Sequence, residues 1–387
     1  MSSRERFVRC LHCGMPHEEH ERVCPITGKE VVVKPRKGAP AGVREPSSPF
    51  VAPVSRPASA PPSRQAIFEL GGGADEPEPS FVGRMLEDKY LVKELIGRGG
   101  MGAVYRAENQ RIGKQVAIKI LHRGHDSGSS SSKRLYREAR LMGSLGHPNI
   151  VDIYDLGALE NGAPFQVMEL LEGESLAARI HLEGGLPIDE SLAIAEDVLS
   201  ALDAAHARGI VHRDLKPDNV FLAHKDGRAV TKLLDFGISK TIGDETLSLT
   251  KTGMVVGTPF YLAPEQARGE DVDQRIDVWA MGVLLYEMLT GVTPFHAENY
   301  NKLIVRILTT RPEPPTKRRP ALSPTVEQVI LTALAHEREH RYRDAGAMLE
   351  ALRAARAGAR VPVTYTPPVD ELDVDLDPTE VSDTFRR

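Results

Sequence analysis

From Tyr90 onward, apolar and polar positions follow two rhythms, and the change between them predicts two kinds of architecture. "YLVKELIGRGG", "GAVYRAEN", "QVAIKIL", "IVDIYDLGAL" and "PFQVMEL" carry β-branched and apolar residues in short runs broken by Gly and Asn, which predicts strands joined by turns. One helical stretch, "RLYREARLMGSL", interrupts them, with Leu135, Ala139 and Met142 on one face. From about residue 175 the period lengthens. In "SLAIAEDVLSALDAAHARG", Leu192, Ala195, Leu199, Leu202 and His206 recur every three or four positions, the signature of an amphipathic helix, and Gly209 closes it. "DVWAMGVLLYEMLTG", "NKLIVRIL", "VEQVILTALA" and "DAGAMLEALRAAR" repeat that pattern. A β-rich lobe thus precedes a helix-rich lobe, with the connection near Met168 to Gly173 and a cleft expected between them.

The flanks lack such patterning. Residues 35–80 mix Pro, Ala, Ser and Gly with few apolar side chains and read as a linker, extended where proline dominates. "PPVDELDVDLDPTEVSDTFRR" is acidic and reads as a disordered tail. The expected division is a segment at 1–34, the linker at 35–80, a two-lobed domain at 81–356 (lobes at about 90–171 and 172–356) and a tail at 357–387. The class is α+β.

Composition narrows the function. With 41% hydrophobic residues the chain of 387 can bury a sizeable core, and a net charge of -5 gives no electrostatic reason to expect nucleic acid as the main partner. The N-terminus has no apolar run of a secretory signal. The most apolar stretch, Val278 to Leu289, carries Glu287 and falls short of the roughly 20 residues a membrane span needs. A soluble cytoplasmic protein is expected. All three cysteines, Cys10, Cys13 and Cys24, lie in the first 24 residues, against a secreted disulfide framework. "CLHCGMPHEEHERVCPITG" resembles a small zinc ribbon in which Thr27 stands at the fourth cysteine position and His17 or His20 would complete a tetrahedral site. A redox-active pair at Cys10 and Cys13 and a metal-free knuckle stand beside that zinc reading.

Chemistry concentrates in the two-lobed region. "IGRGGMGAVY" sets Gly97, Gly99 and Gly102 in a spacing that lets backbone N–H groups approach an anion without intervening side chains. Lys119 sits within the strand-like "VAIKI", and Glu138 in the helical stretch is placed to pair with it. "HRDLKPDN" gathers Arg213, Asp214, Lys216 and Asn219 on a short loop flanked by strand-like residues, and Asp235 follows another apolar run in "LLDFGIS". Asn219 and Asp235 supply hard oxygen donors of the kind that suit Mg²⁺.

In combination these motifs make the chain resemble the eukaryotic-type serine/threonine protein kinases, most closely their bacterial members, over about Tyr90 to Arg356. The resemblance implies a bilobal kinase fold that transfers the γ-phosphate of ATP to protein Ser or Thr hydroxyls with Mg²⁺. It implies that Gly97, Gly99 and Gly102, with Ile96, Arg98, Gly100, Met101, Ala103 and Val104, cover the nucleotide. Ala117, Met168, Glu169 and Leu171 would line the adenine site. Lys119 would meet the phosphates and pair with Glu138, Asp214 would orient the substrate hydroxyl, and Lys216 would neutralise the transferring group. Asn219 and Asp235 would hold magnesium. Glu265 of "APEQ", Arg341 of "HRYRDA" and Asp277 of "RIDVWAMG" would brace the activation segment and catalytic loop, and Lys216 with Thr258 marks the serine/threonine type.

Arg213 before the catalytic aspartate implies a switch by phosphorylation, at Thr250 and Thr252 ahead of Thr246 and Ser248. The implied partners are protein substrates, with a homodimer through the β-rich lobe as a family analogy. The competing reading is a pseudokinase scaffold that uses the N-terminal ribbon.

Overall fold

The computed structural model describes residues 80–99, 102–121, 143, 145–225, 227–236 and 259–359, plus three short strands before them. It divides into two units, residues 1–78 with 97–99 and residues 79–96 with 100–387. In the first, β1 (Phe7–Arg9) and β2 (Pro16–Glu18) pair antiparallel with Val8 opposite His17, and β3 (Phe68–Glu69) follows. The second unit carries Lys119, Asp214 and Asp235.

Its β-rich lobe is built from β4 (Met85–Leu86), β5 (Tyr90–Gly99), β6 (Gly102–Asn109), β7 (Lys114–Leu121), β8 (Ile153–Ala158) and β9 (Pro164–Glu169). β5, β6, β7, β9 and β8 lie side by side in that order. Val104 faces Lys119 across the β6–β7 pair, and Lys119 faces Gln166 across the β7–β9 pair. The period of two sorts the side chains. Tyr90, Val92, Tyr105, Val116, Ile118, Phe165 and Val167 form the lobe core on one face, while Val104, Ala117 and Met168 gather on the other. The strands expected from the sequence are present, except that "IVDIYDLGAL" is a strand only from Ile153 to Ala158. Ile150 instead makes an isolated parallel bridge to Leu233.

The helical lobe begins with β10 (Gly173–Ser175) and α1 (Leu176–Glu183), where the Ser175 hydroxyl caps the helix by accepting from Ala178 N at 3.1 Å. Helix α2 (Ile188–His206) has Asp189 and Glu190 in its first turn, where they complement the helix dipole, and buries Leu192, Ala195, Leu199, Leu202 and His206. A hairpin of β11 (Val220–Lys225) and β12 (Arg228–Leu233) pairs with β10. Then come α3 (Pro264–Arg268), α4 (Arg275–Thr290), α5 (Tyr300–Thr309), α6 (Pro315–Arg318), α7 (Pro324–Ala333) and α8 (Ala345–Arg356).

Helix α4 is the axis of this lobe, buried on every side from Ile276 to Leu289. Its Gly282 permits close approach of α7, since a Cβ there would meet Ala333 Cβ at 2.9 Å. No helix among the described residues is long and apolar enough to cross a membrane.

One local expectation fails. The residues before the Arg213–Asn219 loop, Ile210 to His212, form no strand. Their N–H groups are satisfied otherwise: Ile210 N donates to Ala205 O at 3.0 Å, and His212 N donates to the Asp277 carboxylate at 2.8 Å. With those donors spent on a helix end and a side chain, an adjacent strand is not required.

Candidate active site

The loop from Ile210 to Asn219 is held from below by Asp277, 1% exposed in the first turn of α4. Its Oδ2 accepts from His212 N at 2.8 Å, and its Oδ1 accepts from Arg213 N at 2.9 Å. His206 Nε2 lies 2.9 Å from the same Oδ2. Arg213 has φ of 63°, a left-handed backbone that costs a non-glycine residue about 1–2 kcal/mol, and the bonds to Asp277 offset it.

His212 sets the spacing between the loop and the segment carrying Asp235. It is fully buried; its Nδ1 accepts from Asp214 N at 3.2 Å, so Nε2 carries the proton and donates to Leu234 O at 2.9 Å. Burial pushes this imidazole below its ordinary pKa, which keeps it neutral in that tautomer. Leu234 N in turn donates to Asn219 O at 2.8 Å.

The polar groups of the loop converge on Asp214. Lys216 Nζ lies 3.1 Å from Asp214 Oδ2, and Asn219 Nδ2 donates to Asp214 O at 2.7 Å and to Oδ2 at 3.2 Å. The Asp214 and Lys216 side chains are 18% and 20% exposed, accessible to a substrate yet largely shielded from water. Tyr261, Leu262 and Gln266 line the same depression, and the Tyr261 hydroxyl donates to buried Glu287. Gln266 closes the "APEQ" motif, whereas the sequence reading gives Tyr261, Leu262 and Glu287 no role.

Across the cleft, Lys119 Nζ lies 2.6 Å from Asp235 Oδ2. Asp235 also has a left-handed backbone, φ 40°. The sequence pairs Lys119 with Glu138, which lies outside the described residues; the partner described here is Asp235. The Asn219 amide nitrogen is committed to Asp214, which leaves its oxygen available to a metal ion; the Asp235 carboxylate is the other oxygen donor the sequence offers. One amide oxygen and one carboxylate fit Mg²⁺, which keeps several waters and shares phosphate oxygens.

Ala117, Val151 and Met168 are buried as one apolar cluster, with the partly buried Ile96, Val104, Leu170, Leu171 and Leu234 packed against it, and such a surface suits a flat aromatic ring. Val151 is an addition to the sequence reading, while Leu170 lies within the stretch Glu169 to Leu171 expected to meet adenine and Leu234 within the "LLDFGIS" run that carries Asp235. By the alternation of β6 the Ala103 side chain belongs to the lobe core on the opposite face, which leaves only its main chain to cover a nucleotide. Gly102 has φ of 155°, and a Cβ on it would meet Ile120 O at 2.1 Å, so no side chain is accommodated. Gly97, Arg98 and Gly99 close β5 within the first unit. Gly100, Met101, Thr250, Thr252, Thr258 and the three cysteines lie outside the described residues.

Below the loop, Arg341 grips Glu265 bidentately, Nη1 to Oε1 and Nη2 to Oε2 both at 2.8 Å, with side chains 0% and 3% exposed. Arg341 also donates to Ala335 O at 2.7 Å and stacks over Trp279 at 4.9 Å.

Residues 90–352 match the protein kinase domain family model. The chain belongs to the protein kinase family. Among curated relatives, this kinase is similar to the serine/threonine-protein kinase Pkn1 of Myxococcus xanthus, 42% identical over 78% of this chain and 44% of that protein. It is similar to PknB of Mycobacterium leprae, 38% identical over 70% of this chain and 44% of the relative. The chain thus spans about half the length of the curated relatives it matches. Among solved structures it resembles the Mycobacterium tuberculosis PknI kinase domain, with a TM-score of 0.57 and 26% identity over 71% of this chain and 99% of that one. Rad53 in complex with AMP-PNP has a TM-score of 0.56 and 27% identity, over 67% of this chain and 63% of that one.

Proposed function

We propose that this chain is an ATP- and Mg²⁺-dependent protein serine/threonine kinase. The observation that carries the reading is the convergence of Lys216 and Asn219 on Asp214, 3.1 and 3.2 Å away, opposite the Lys119–Asp235 pair. Asp214 orients a Ser or Thr hydroxyl in line with the γ-phosphorus. The oxygen–phosphorus bond forms as the bond to the bridging oxygen of ADP breaks, and the hydroxyl proton passes to the Asp214 carboxylate. Lys216 offsets the charge on the transferring group, and Lys119 holds the α- and β-phosphates. Asn219 and Asp235 would hold a magnesium ion, which would supply further charge neutralisation. Such chemistry asks for position and electrostatics more than covalent help. Lys119, Asp214 and Asp235 are all retained, so nothing observed favours a scaffold without activity.

Regulation is part of the proposal. Arg213 beside Asp214 is suited to hold a phosphate bidentately, and phosphorylation of Thr250 and Thr252 would order the activation segment through it. Structural zinc on Cys10, Cys13 and Cys24 is the proposed role of the first 34 residues, supported by the C-x-x-C sequence in the connection between β1 and β2.

The test is incubation of the chain and its Lys119→Met variant with Mg²⁺ and ATP, followed by intact mass and site mapping. Phosphate gained by the wild type at Thr250 or Thr252, and absent from the variant, is the expected result. No gain by a wild type that binds ATP contradicts the reading.

A further inference from the structure

Most buried charged groups of the helical lobe serve the catalytic loop or the segment next to it. Lys232 does not. It sits on β12, 4% exposed, and neither its position in the sequence nor the chemistry above gives it a task. Its Nζ lies 2.6 Å from Glu169 Oε1 and donates to Ile150 O at 3.1 Å. The same Glu169 oxygen accepts from Asp152 N at 2.9 Å, and Glu169 N donates to Asp152 O at 2.9 Å.

Lys232 is thus the centre of a brace between lobes. On either side of it the backbone is also tied: Asn149 Nδ2 donates to Thr231 O at 2.9 Å, Leu233 N to Asn149 O at 2.8 Å, and Val151 N to Leu233 O at 3.1 Å. These bonds fix residues 149–151 of the β-rich lobe onto β12 of the helical lobe. The Lys232 side chain carries the brace directly from β12 to Glu169, beside the Asp152 main-chain bonds that reach the same residue; Glu169 is the last residue of β9 and the first of the segment proposed to meet adenine. The next residues, Leu170 and Leu171, and the residue after Lys232 but one, Leu234, all pack against the apolar cluster of Ala117, Val151 and Met168 that is suited to adenine.

We infer that Lys232 is a positioning residue for the nucleotide: through its ion pair with Glu169 it fixes the register of the main chain that reads the adenine edge. This inference rests on the kinase reading above. The ammonium supplies the counter-charge for a carboxylate that is itself only 11% exposed, so a buried Glu169 side chain has one preferred place. Main-chain recognition of a purine edge needs donors and acceptors at fixed positions, and a segment free to shift by a fraction of an ångström loses both affinity and the distinction between adenine and guanine.

The experiment measures binding of Mg·ADP by calorimetry, and KM for ATP and for GTP, on the full chain and on Lys232→Met, Glu169→Gln, the double variant and Lys232→Arg. The expected result is a five- to tenfold (order of magnitude, about one charge-assisted hydrogen bond) weakening of Mg·ADP binding in each single variant. The double variant is no weaker than the weaker single, Lys232→Arg recovers part of the loss, and the preference for ATP over GTP narrows. A purely structural role would lower the melting temperature without changing that preference. Glu169→Gln is nearly isosteric and carries the test if Lys232→Met does not fold. Affinities within about twofold of wild type, or losses that multiply in the double variant, overturn the inference. A wild type that binds no Mg·ADP instead overturns the kinase reading.

Discussion

The carboxylate of Asp277 accepts the backbone N–H of Arg213 at 2.9 Å, across 64 residues of sequence, and so holds that arginine at a φ of 63°. The loop that carries Asp214 has its shape because a helix buried in the lobe centre offers it a fixed acceptor. The same carboxylate takes His212 N at 2.8 Å, so the residues preceding Asp214 cannot relax independently.

Replacing Asp277 therefore affects turnover more than nucleotide binding. Asp277→Ala leaves two backbone donors without an acceptor, each costing about 1–3 kcal/mol, and frees Arg213 to return to a right-handed backbone. A fall in kcat of more than about tenfold with KM for ATP little changed is expected from steady-state kinetics. Equal losses in both would show that the loop is not the element affected.

The Glu265–Arg341 pair offers a stability test. Removing one member of a buried, bidentate ion pair leaves an uncompensated charge and costs about 3–5 kcal/mol. Arg341→Met should lower the unfolding free energy by that order in urea titration, and Glu265→Met with Arg341→Met together should recover part of it. A single variant as stable as wild type would mean that water reaches the site.

Four histidines set a pH dependence. Burial lowers the pKa of His147, His212, His296 and His336 below 6.5, the last two with help from nearby arginines. Between the folded and unfolded values the unfolded chain binds more protons. Their contribution is therefore full above the unfolded value of about 6.5 and is lost as pH falls below it. Burial raises the Asp197 carboxyl pKa and works in the opposite sense, in a window that begins at its unfolded value of 3.8. Asp155, whose pKa is lowered by its Lys89 and Tyr90 hydrogen bonds against the opposing effect of burial, loses its contribution only below that value. The melting temperature should fall from pH 7.5 to pH 5.5; a flat profile across that range would contradict the buried neutral state of these rings.

Much of this was legible in the sequence because the relevant physics is local. Strand alternation placed Lys119, and three- and four-residue spacing placed His206 on the buried face of α2. Where side chains meet across the chain, the sequence was silent. Nothing in "AVTKLL" announces that Lys232 reaches Glu169, 63 residues away, and nothing in "GIVH" says that Asp277 takes the place of a strand partner. The side chain of Ala103 shows the limit within a motif: the alternation that packs Val104 against the Ala117 and Met168 cluster turns its neighbour toward the lobe core. The Tyr261–Glu287 contact likewise depends on α4 crossing behind the depression beside Asp214.

The most direct measurement is phosphoryl transfer from γ-labelled ATP to a protein acceptor by the wild type and Asp214→Asn, with Mg·ADP affinity measured on both. The account predicts transfer by the wild type and a loss of about 10²–10⁴-fold in the variant, with nucleotide affinity within about twofold, because Asp214 acts on the hydroxyl and not on the nucleotide. Equal transfer by the two proteins, or none by a wild type that binds Mg·ADP, would contradict it.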